Sequence, residues 1–380
     1  MRKSGILEKL IAIEATDKPF ISIYLNAESN EQGRDDFDVF LEKQLSKYQD
    51  EFEEDSPERD SFDSDIEKIR KYAANVPASA NGVAIFACAA EDFFQGINFD
   101  VPFENDKFFI ENKPSIYPLA RLIDQNPEFA VVLADSNMAK LFIMQRGKVL
   151  ENEEIKNTKY SRSDEGGWSQ KRFQRHIDEM RKQHAREVME ELETVLREED
   201  IRHFVLAGNK DMVIPLLLDE MNDFLNERHT GTVRMEIDAS ENEIMDAAET
   251  VIKQADTLKD KEKIDALNEE NYDGGKGVTG VAKTLRALAN GQVQELYLVA
   301  NFDEIEYNED EIKQILKEYA PSEDGEMANV KHPRQIADDM IARALDSAER
   351  IRFIEDENLL KEAGGVGALL RYTMSANPNQ

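Results

Sequence analysis

The chain has little of what usually staples, switches or anchors a protein. One cysteine, Cys88, stands among 380 residues, so no intramolecular disulfide can form. It lies in the apolar run Gly82–Ala90, where it reads as a small buried hydrophobe. The five histidines are thinly spread. His176 and His184 share a helical segment, while His203, His229 and His332 are isolated, a spacing that supplies no zinc ligand set. We read them as surface or RNA-facing residues, and expect no metal or cofactor. No apolar run approaches the ~20 residues needed to span a bilayer, and Met1-Arg2-Lys3-Ser4-Gly5 leads into an amphipathic stretch, unlike a signal-peptide core. The expected compartment is the cytoplasm. Positive charge is also scarce: 47 Lys+Arg face 79 Asp+Glu, a net charge of -32. Coating nucleic acid non-specifically requires many cationic phosphate contacts, which this balance excludes. Neither DNA nor a membrane is an expected partner, and any RNA must be met by a local patch. Hydrophobic residues at 41% with 33% charged describe a globular chain, whose length exceeds what one core usually serves.

Periodicity divides the chain into three α/β blocks, 1–128, 129–270 and 271–380. In the first, Phe20–Leu25 and Gly82–Ala90 read as buried strands. Phe37, Phe40, Leu41, Leu45 and Tyr48 make an amphipathic helix, Asp50–Ser61 around Pro57 reads as a loop, and Phe93–Phe109 as short strands. Pro114, Pro118 and Pro127 mark the first boundary. In the second block, Ala130–Ala134 and Lys140–Gln145 form a hairpin across Asp135-Ser136-Asn137, and Gly147 turns into a third strand, Val149–Ile155. A long helix is predicted from about Ser169 to Arg197, with a sparse stripe of Phe173, Ile177, Met180, Val188, Leu192 and Val195. Phe204–Ala207 is a strand, Pro215–Leu225 a helix, Val233–Ile237 a strand and Glu241–Gln254 a helix; charged Asp256–Asn271 is a helical link. The third block opens at Gly274–Gly280. A helix to Ala289, a strand Glu295–Ala300, a long helix from Pro333 to Glu355 and an edge or closing strand near Gly364–Tyr372 follow. The glycines of Gly274–Gly280 do not make a nucleotide loop, because Lys276 is followed by Gly277 and not by Ser or Thr.

The segment that carries chemistry is Gly166-Gly167-Trp168-Ser169-Gln170, followed by Lys171-Arg172-Phe173-Gln174-Arg175-His176. Adjacent glycines let backbone approach another polymer closely. Between Lys159 and Arg186 there are eight Lys/Arg and four Asp/Glu, a basic island in an acidic chain. Lys171, Arg172, Arg175 and Arg181 suit phosphate oxygens, and Trp168 suits stacking on a base. The bland reading is a flexible turn in front of a helix, with Gln170 as an ordinary first-turn residue. Ser169 near His176 lacks a third orienting group and is not read as a nucleophile.

These residues resemble the bacterial branch of the archaeo-eukaryotic class-1 release factor and Pelota superfamily, in the form found in ribosome-quality-control peptidyl-tRNA hydrolases. Gly166, Gly167 and Gln170 match a Gly-Gly followed, after a short insertion, by Gln; classical release factors have Gly-Gly-Gln uninterrupted. Gly277-Val278, Leu288–Leu296 and Gly365–Tyr372 are similar to the superfamily's third domain, related to RNA-binding ribosomal proteins. The resemblance implies a three-domain release-factor-like architecture: a central mixed-sheet α/β domain with a projecting glycine loop, and a C-terminal α/β/α domain. It implies a ribosomal partner (rRNA and tRNA), with a translational GTPase as a further one. It implies catalytic roles for Gly166, Gly167 and Gln170 in hydrolysing peptidyl-tRNA on stalled ribosomes. Residues 1–128 carry no stop-codon-reading motif of the family. The other expectation is a non-catalytic hibernation or rescue-adaptor factor in the same ribosomal A site.

Overall fold

The computed structural model describes residues 4–16, 18–28, 37–53, 56–136, 138–145, 148–156, 170–272, 274–319 and 332–373. In chain order its elements begin α1 (Ser4–Ile11), β1 (Phe20–Asn26), α2 (Phe37–Gln49), α3 (Pro57–Ala73), β2 (Gly82–Cys88), β3 (Phe93–Phe99), β4 (Lys107–Glu111) and α4 (Tyr117–Gln125). Then come β5 (Phe129–Ala134), β6 (Met138–Gln145), β7 (Lys148–Lys156), α5 (Gln170–Glu198), β8 (His203–Gly208), α6 (Val213–Asp219), α7 (Asp223–Arg228), β9 (His229–Arg234) and α8 (Glu241–Glu270). The remainder is β10 (Gly277–Thr279), α9 (Val281–Ala289), β11 (Val293–Val299), α10 (Glu309–Tyr319), α11 (Pro333–Ser347), β12 (Arg350–Ile354), α12 (Glu357–Leu360) and β13 (Val366–Leu370).

Two compact units emerge. One joins Met1–Gln125 to Asp260–Gln380; the other is Asn126–Lys259. The first unit holds two four-stranded sheets, ordered β3-β2-β1-β4 and β10-β13-β11-β12. In the first sheet, β1 is central and antiparallel to β2 and β4, with Ile23 opposite Ile85 and Phe108. Both its faces are covered, which explains the unbroken apolar run of β1. Ile21, Ile23 and Leu25 pack with Leu41, Leu45, Phe62 and Ile66 of α2 and α3. Phe20, Tyr24 and Phe86 on the opposite face share one core with Leu296, Leu298, Met340 and Ile341 of the third block.

A buried polar network runs through that shared core. Asp338 Oδ1 accepts the backbone N–H groups of Ile116 at 3.0 Å and Tyr117 at 2.7 Å, at the start of α4. Arg334, one turn earlier on α11, donates to Ser115 Oγ at 2.6 Å, pairs with Glu111 and lies 3.9 Å over the Phe109 ring. Tyr24 Oη donates to the Ser115 carbonyl at 2.5 Å. Asp124 near the other end of α4 accepts from Phe353 N–H at 2.8 Å. Buried charges persist only when paired and hydrogen-bonded, and here the partners come from both blocks.

Several elements differ from expectation. Pro57 does not break the chain: it opens α3, and Ser56 Oγ caps that helix by accepting Arg59 N–H at 3.1 Å. The helix from Pro333 stops at Ser347, and Arg350–Ile354 instead pairs in parallel with β11. The expected helix Pro215–Leu225 is split into α6 and α7, with Asn222 capping the second through Leu225 N–H at 3.0 Å. β9 starts at His229 and ends before Ile237, and α8 continues well past Gln254. β13 is an interior strand between β10 and β11, and not an edge.

Asp65 of α3 is fully buried. Its Oδ2 accepts Ala89 N–H at 2.9 Å, while Oδ1 and the Ser61 Oγ one turn earlier find no partner. Burial pushes its carboxyl up to about 6, partly opposed by the Ala89 N–H. The folded state therefore holds this proton more tightly than the unfolded chain does. The resulting stabilisation is complete below about pH 4 and disappears as pH rises through about 6. Asp65→Asn should stabilise the chain by on the order of 2 kcal/mol at pH 8 and by nearly nothing at pH 4. Urea denaturation of both proteins across that range measures the difference; a pH-independent difference contradicts it.

Candidate functional site at the arm of the central unit

The central sheet is ordered β7-β6-β5-β8-β9. β5 is parallel to β8, β8 is parallel to β9, and β6 is antiparallel to both β5 and β7. Four strands thus point one way and β6 alone opposes them. β7 ends at the carboxyl edge of the sheet, and α5 returns from that edge to β8. Lys156, the last residue of β7, thus lies at the carboxyl edge, where open α/β sheets commonly carry their sites. Gly208 keeps this edge tight: at φ +154°, a Cβ there would meet the Ala134 carbonyl oxygen at 2.4 Å.

Helix α5 has two halves of different character. Ala185, Val188, Met189, Leu192 and Leu196 are buried against Ala130 and Val132 of β5, Phe204 and Leu206 of β8, and Val213 and Leu217 of α6. Val188, Leu192 and Val195 of the predicted stripe take part, whereas Ile177 and Met180 are only half-buried and join no core cluster. Arg175, Asp178 and Glu179 are exposed. Among the described residues of α5 the first buried one is His184. From Gln170 to His184 a helix rises roughly 20 Å, so the amino-terminal half forms an arm beyond the core of its own unit.

Gly166, Gly167, Trp168 and Ser169 lie outside the described residues. Gln170, Lys171 and Arg172 form the first turn of α5, and their side chains also lie outside them. Arg175 is exposed and Arg181 half-buried, and among the described residues neither forms an ion pair; nor does Lys182. Farther along, cations are engaged: Arg186 pairs with Glu220 at 3.1 Å and Arg197 with Glu193 at 2.6 Å. Within the described part of α5, the cations without an ion pair thus precede the paired ones.

The surface reading of His184 is overturned. It is 3% exposed, and neither ring nitrogen reaches a hydrogen-bond partner. Burial lowers its pKa from the ordinary histidine value, while Glu187, the Met138 backbone and Asp135 act the other way. The sequence held a signal that was missed: His184 stands four residues before Val188 and eight before Leu192, on the buried stripe. His203 and His229 also turn inward, and His229 Nε2 lies 3.0 Å from the Gly231 carbonyl oxygen. Among the described residues no group of three His, Cys, Asp or Glu could hold a metal ion, and no helix is long and apolar enough to cross a membrane.

Residues 114–253 match the model of bacterial archaeo-eukaryotic release factor family 10. The central part of the chain is thus similar to bacterial release factors of the archaeo-eukaryotic type. Among similar proteins, eukaryotic peptide chain release factor subunit 1 of Schizosaccharomyces pombe is 24% identical over 303 residues, covering 72% of this chain and 70% of that one. Its Saccharomyces cerevisiae counterpart is 22% identical over 315 residues, covering 73% and 70%. Solved structures similar to the chain include archaeal Pelota in a ribosome-bound model with ABCE1 (12% identity, 98% and 95% coverage, TM-score 0.41). Another is S. cerevisiae Dom34, described as interacting with Hbs1 (9% identity, 78% and 82% coverage, TM-score 0.41).

The division of α5 gives a direct test. Leu192→Ala should cost about 2–5 kcal/mol of stability in the central unit, and Arg175→Ala less than about 0.5 kcal/mol. Chemical denaturation monitored on the full chain checks both values. Comparable losses for the two variants would contradict an arm free of its own core.

Proposed function

We propose that this protein enters the ribosomal A site and presents Gly166–Gln170 toward the peptidyl-transferase centre, where it releases peptide from tRNA on stalled ribosomes without reading a stop codon. The observation that supports this reading is the arm. A long helix begins at Gln170, three residues after the Gly-Gly pair, and carries Arg175 and Arg181 toward that end while its far half is fixed in a core. The similarity to peptide chain release factors fits the same role. On this reading the protein acts in the cytoplasm, contacts rRNA and tRNA through Trp168, Lys171, Arg172, Arg175 and Arg181, and is delivered by a translational GTPase.

The chemistry is ester hydrolysis. Water attacks the ester carbonyl carbon, the bond to the tRNA ribose oxygen breaks, and a proton from the water ends on that leaving oxygen. The rate depends on placing the water and stabilising the oxyanion. A glutamine amide both donates and accepts hydrogen bonds and carries no charge to desolvate. Glycines keep the tip thin enough to enter an RNA cavity. The insertion Trp168-Ser169 between Gly-Gly and Gln supports a second reading, in which the tip only occupies the site and the protein protects idle ribosomes or recruits other rescue factors.

Single-turnover release of labelled peptide from stalled complexes, at saturating protein, separates the two. Hydrolysis should fall about 100-fold or more in Gln170→Ala, the scale of losing an oxyanion-stabilising donor, with ribosome binding retained. Release at the spontaneous rate by the parent protein, despite confirmed occupancy, would leave the occupant reading standing. Separately, Arg172→Glu combined with Arg175→Glu should weaken ribosome co-sedimentation and flatten its salt dependence by roughly 1–2 in log–log slope. An unchanged salt series would remove the arm as the contact surface.

A further inference from the structure

At the base of the arm lies a small cavity that the release chemistry does not use. Its volume is about 10 Å³, room for one water-sized group. The walls come from three elements at the carboxyl edge of the central sheet. Ala134, Asp135 and Ser136 follow β5, Arg181 and His184 stand on α5, and Val213 and Leu217 close it from α6. Most of this lining is apolar, which strengthens any polar interaction made inside.

The polar groups facing the cavity are unbalanced. His184 is 3% exposed and has two ring nitrogens without a partner. A buried polar atom left unpaired costs free energy, and such atoms are almost always satisfied. Arg181, three residues earlier on the same helix, carries a permanent charge and pairs with no carboxylate among the described residues. Asp135 is the one acidic group lining the cavity; its Oδ1 accepts Met138 N–H at 2.8 Å, and its charge also bears on His184. A neutral imidazole offers one N–H donor and one acceptor nitrogen, and Arg181 adds donors only, so the missing partner must bring an acceptor.

We propose that this cavity receives one oxygen of a phosphate group, held by Arg181 and His184, with the rest of the anion at its mouth. The alternative acceptor is a lone water, which would satisfy His184 and leave Arg181 without a counter-charge. A phosphate satisfies both, since a guanidinium matches it through parallel N–H bonds. Either free inorganic phosphate or a phosphodiester of RNA supplies the same oxygen. This site does not depend on the release reading, because a phosphate at the base of the arm can bind whether or not the tip is catalytic.

The test uses the full chain labelled with ¹⁵N in its histidine rings, with the His184 signals assigned by their loss in His184→Phe. Inorganic phosphate is titrated at constant ionic strength against sodium chloride, and in a second arm a short single-stranded RNA replaces it. We expect a saturable shift of the His184 ring signals with phosphate, with RNA, or with both; the arm that responds identifies the source. Arg181→Gln, checked for folding by circular dichroism, should weaken the response roughly tenfold or more, as expected for losing a charge-assisted bond. Three outcomes overturn the proposal: no saturable shift in either arm, an equal shift with chloride, or an unchanged affinity in Arg181→Gln. Failure here leaves the peptide-release assay untouched, so the two readings fail separately.

Discussion

Leu192, with Val188, Met189 and Leu196, buries one stripe of α5 against β5, β8 and α6, and that contact fixes the carboxy-terminal half of the helix on the central sheet. Apolar burial on this scale is the main source of rigidity available to a helix. Among the described residues the buried stripe starts at His184, and Ile177 and Met180 before it join no core cluster. A helix's own backbone hydrogen bonds keep it straight where packing stops.

The other unit depends on a different constraint. Asp338 and Arg334 on α11 supply the hydrogen bonds needed by the start of α4, while Asp124 returns one to β12. Helix termini leave unsatisfied N–H groups, and here the capping carboxylate comes from more than two hundred residues away in sequence. Removing either ionic partner strands the other in a buried position, which is costly. The first and third blocks are therefore coupled through polar groups as well as through the shared apolar core. Both contribute to one compact unit although the central block separates them in the chain.

Much of this was legible in the sequence wherever pattern and length agreed. The hairpin of β5 and β6, the long helix after the glycines, and the strand Phe204–Ala207 follow from periodicity alone, because each buries a regular face. The failures have specific causes. Pro57 was read as a breaker, but proline at the first turn of a helix loses no hydrogen bond. Arg350 and Arg352 made β12 look like the tail of a helix, yet Arg352 is buried by its pairing with Asp260, a partner no local pattern announces. His184 was assigned to the surface by residue type, although its register on α5 pointed inward. The Gly166–Gln170 motif and its charge contrast are readings of the sequence alone; the cavity was not legible there, because it is built from three segments distant in the chain.

The central claim is that the Gly166–Gln170 segment reaches the peptidyl-transferase centre. It can be tested by directed cleavage. Cys88 is fully buried and is the only cysteine of the chain, so a cysteine introduced by Ser169→Cys offers a selective attachment point for an iron chelate that generates hydroxyl radicals. On stalled ribosomes carrying peptidyl-tRNA, the account predicts strand cuts in the large-subunit rRNA lining the peptidyl-transferase centre and at the acceptor end of the tRNA. Cuts confined to other rRNA, with the protein shown to be ribosome-bound, would contradict it.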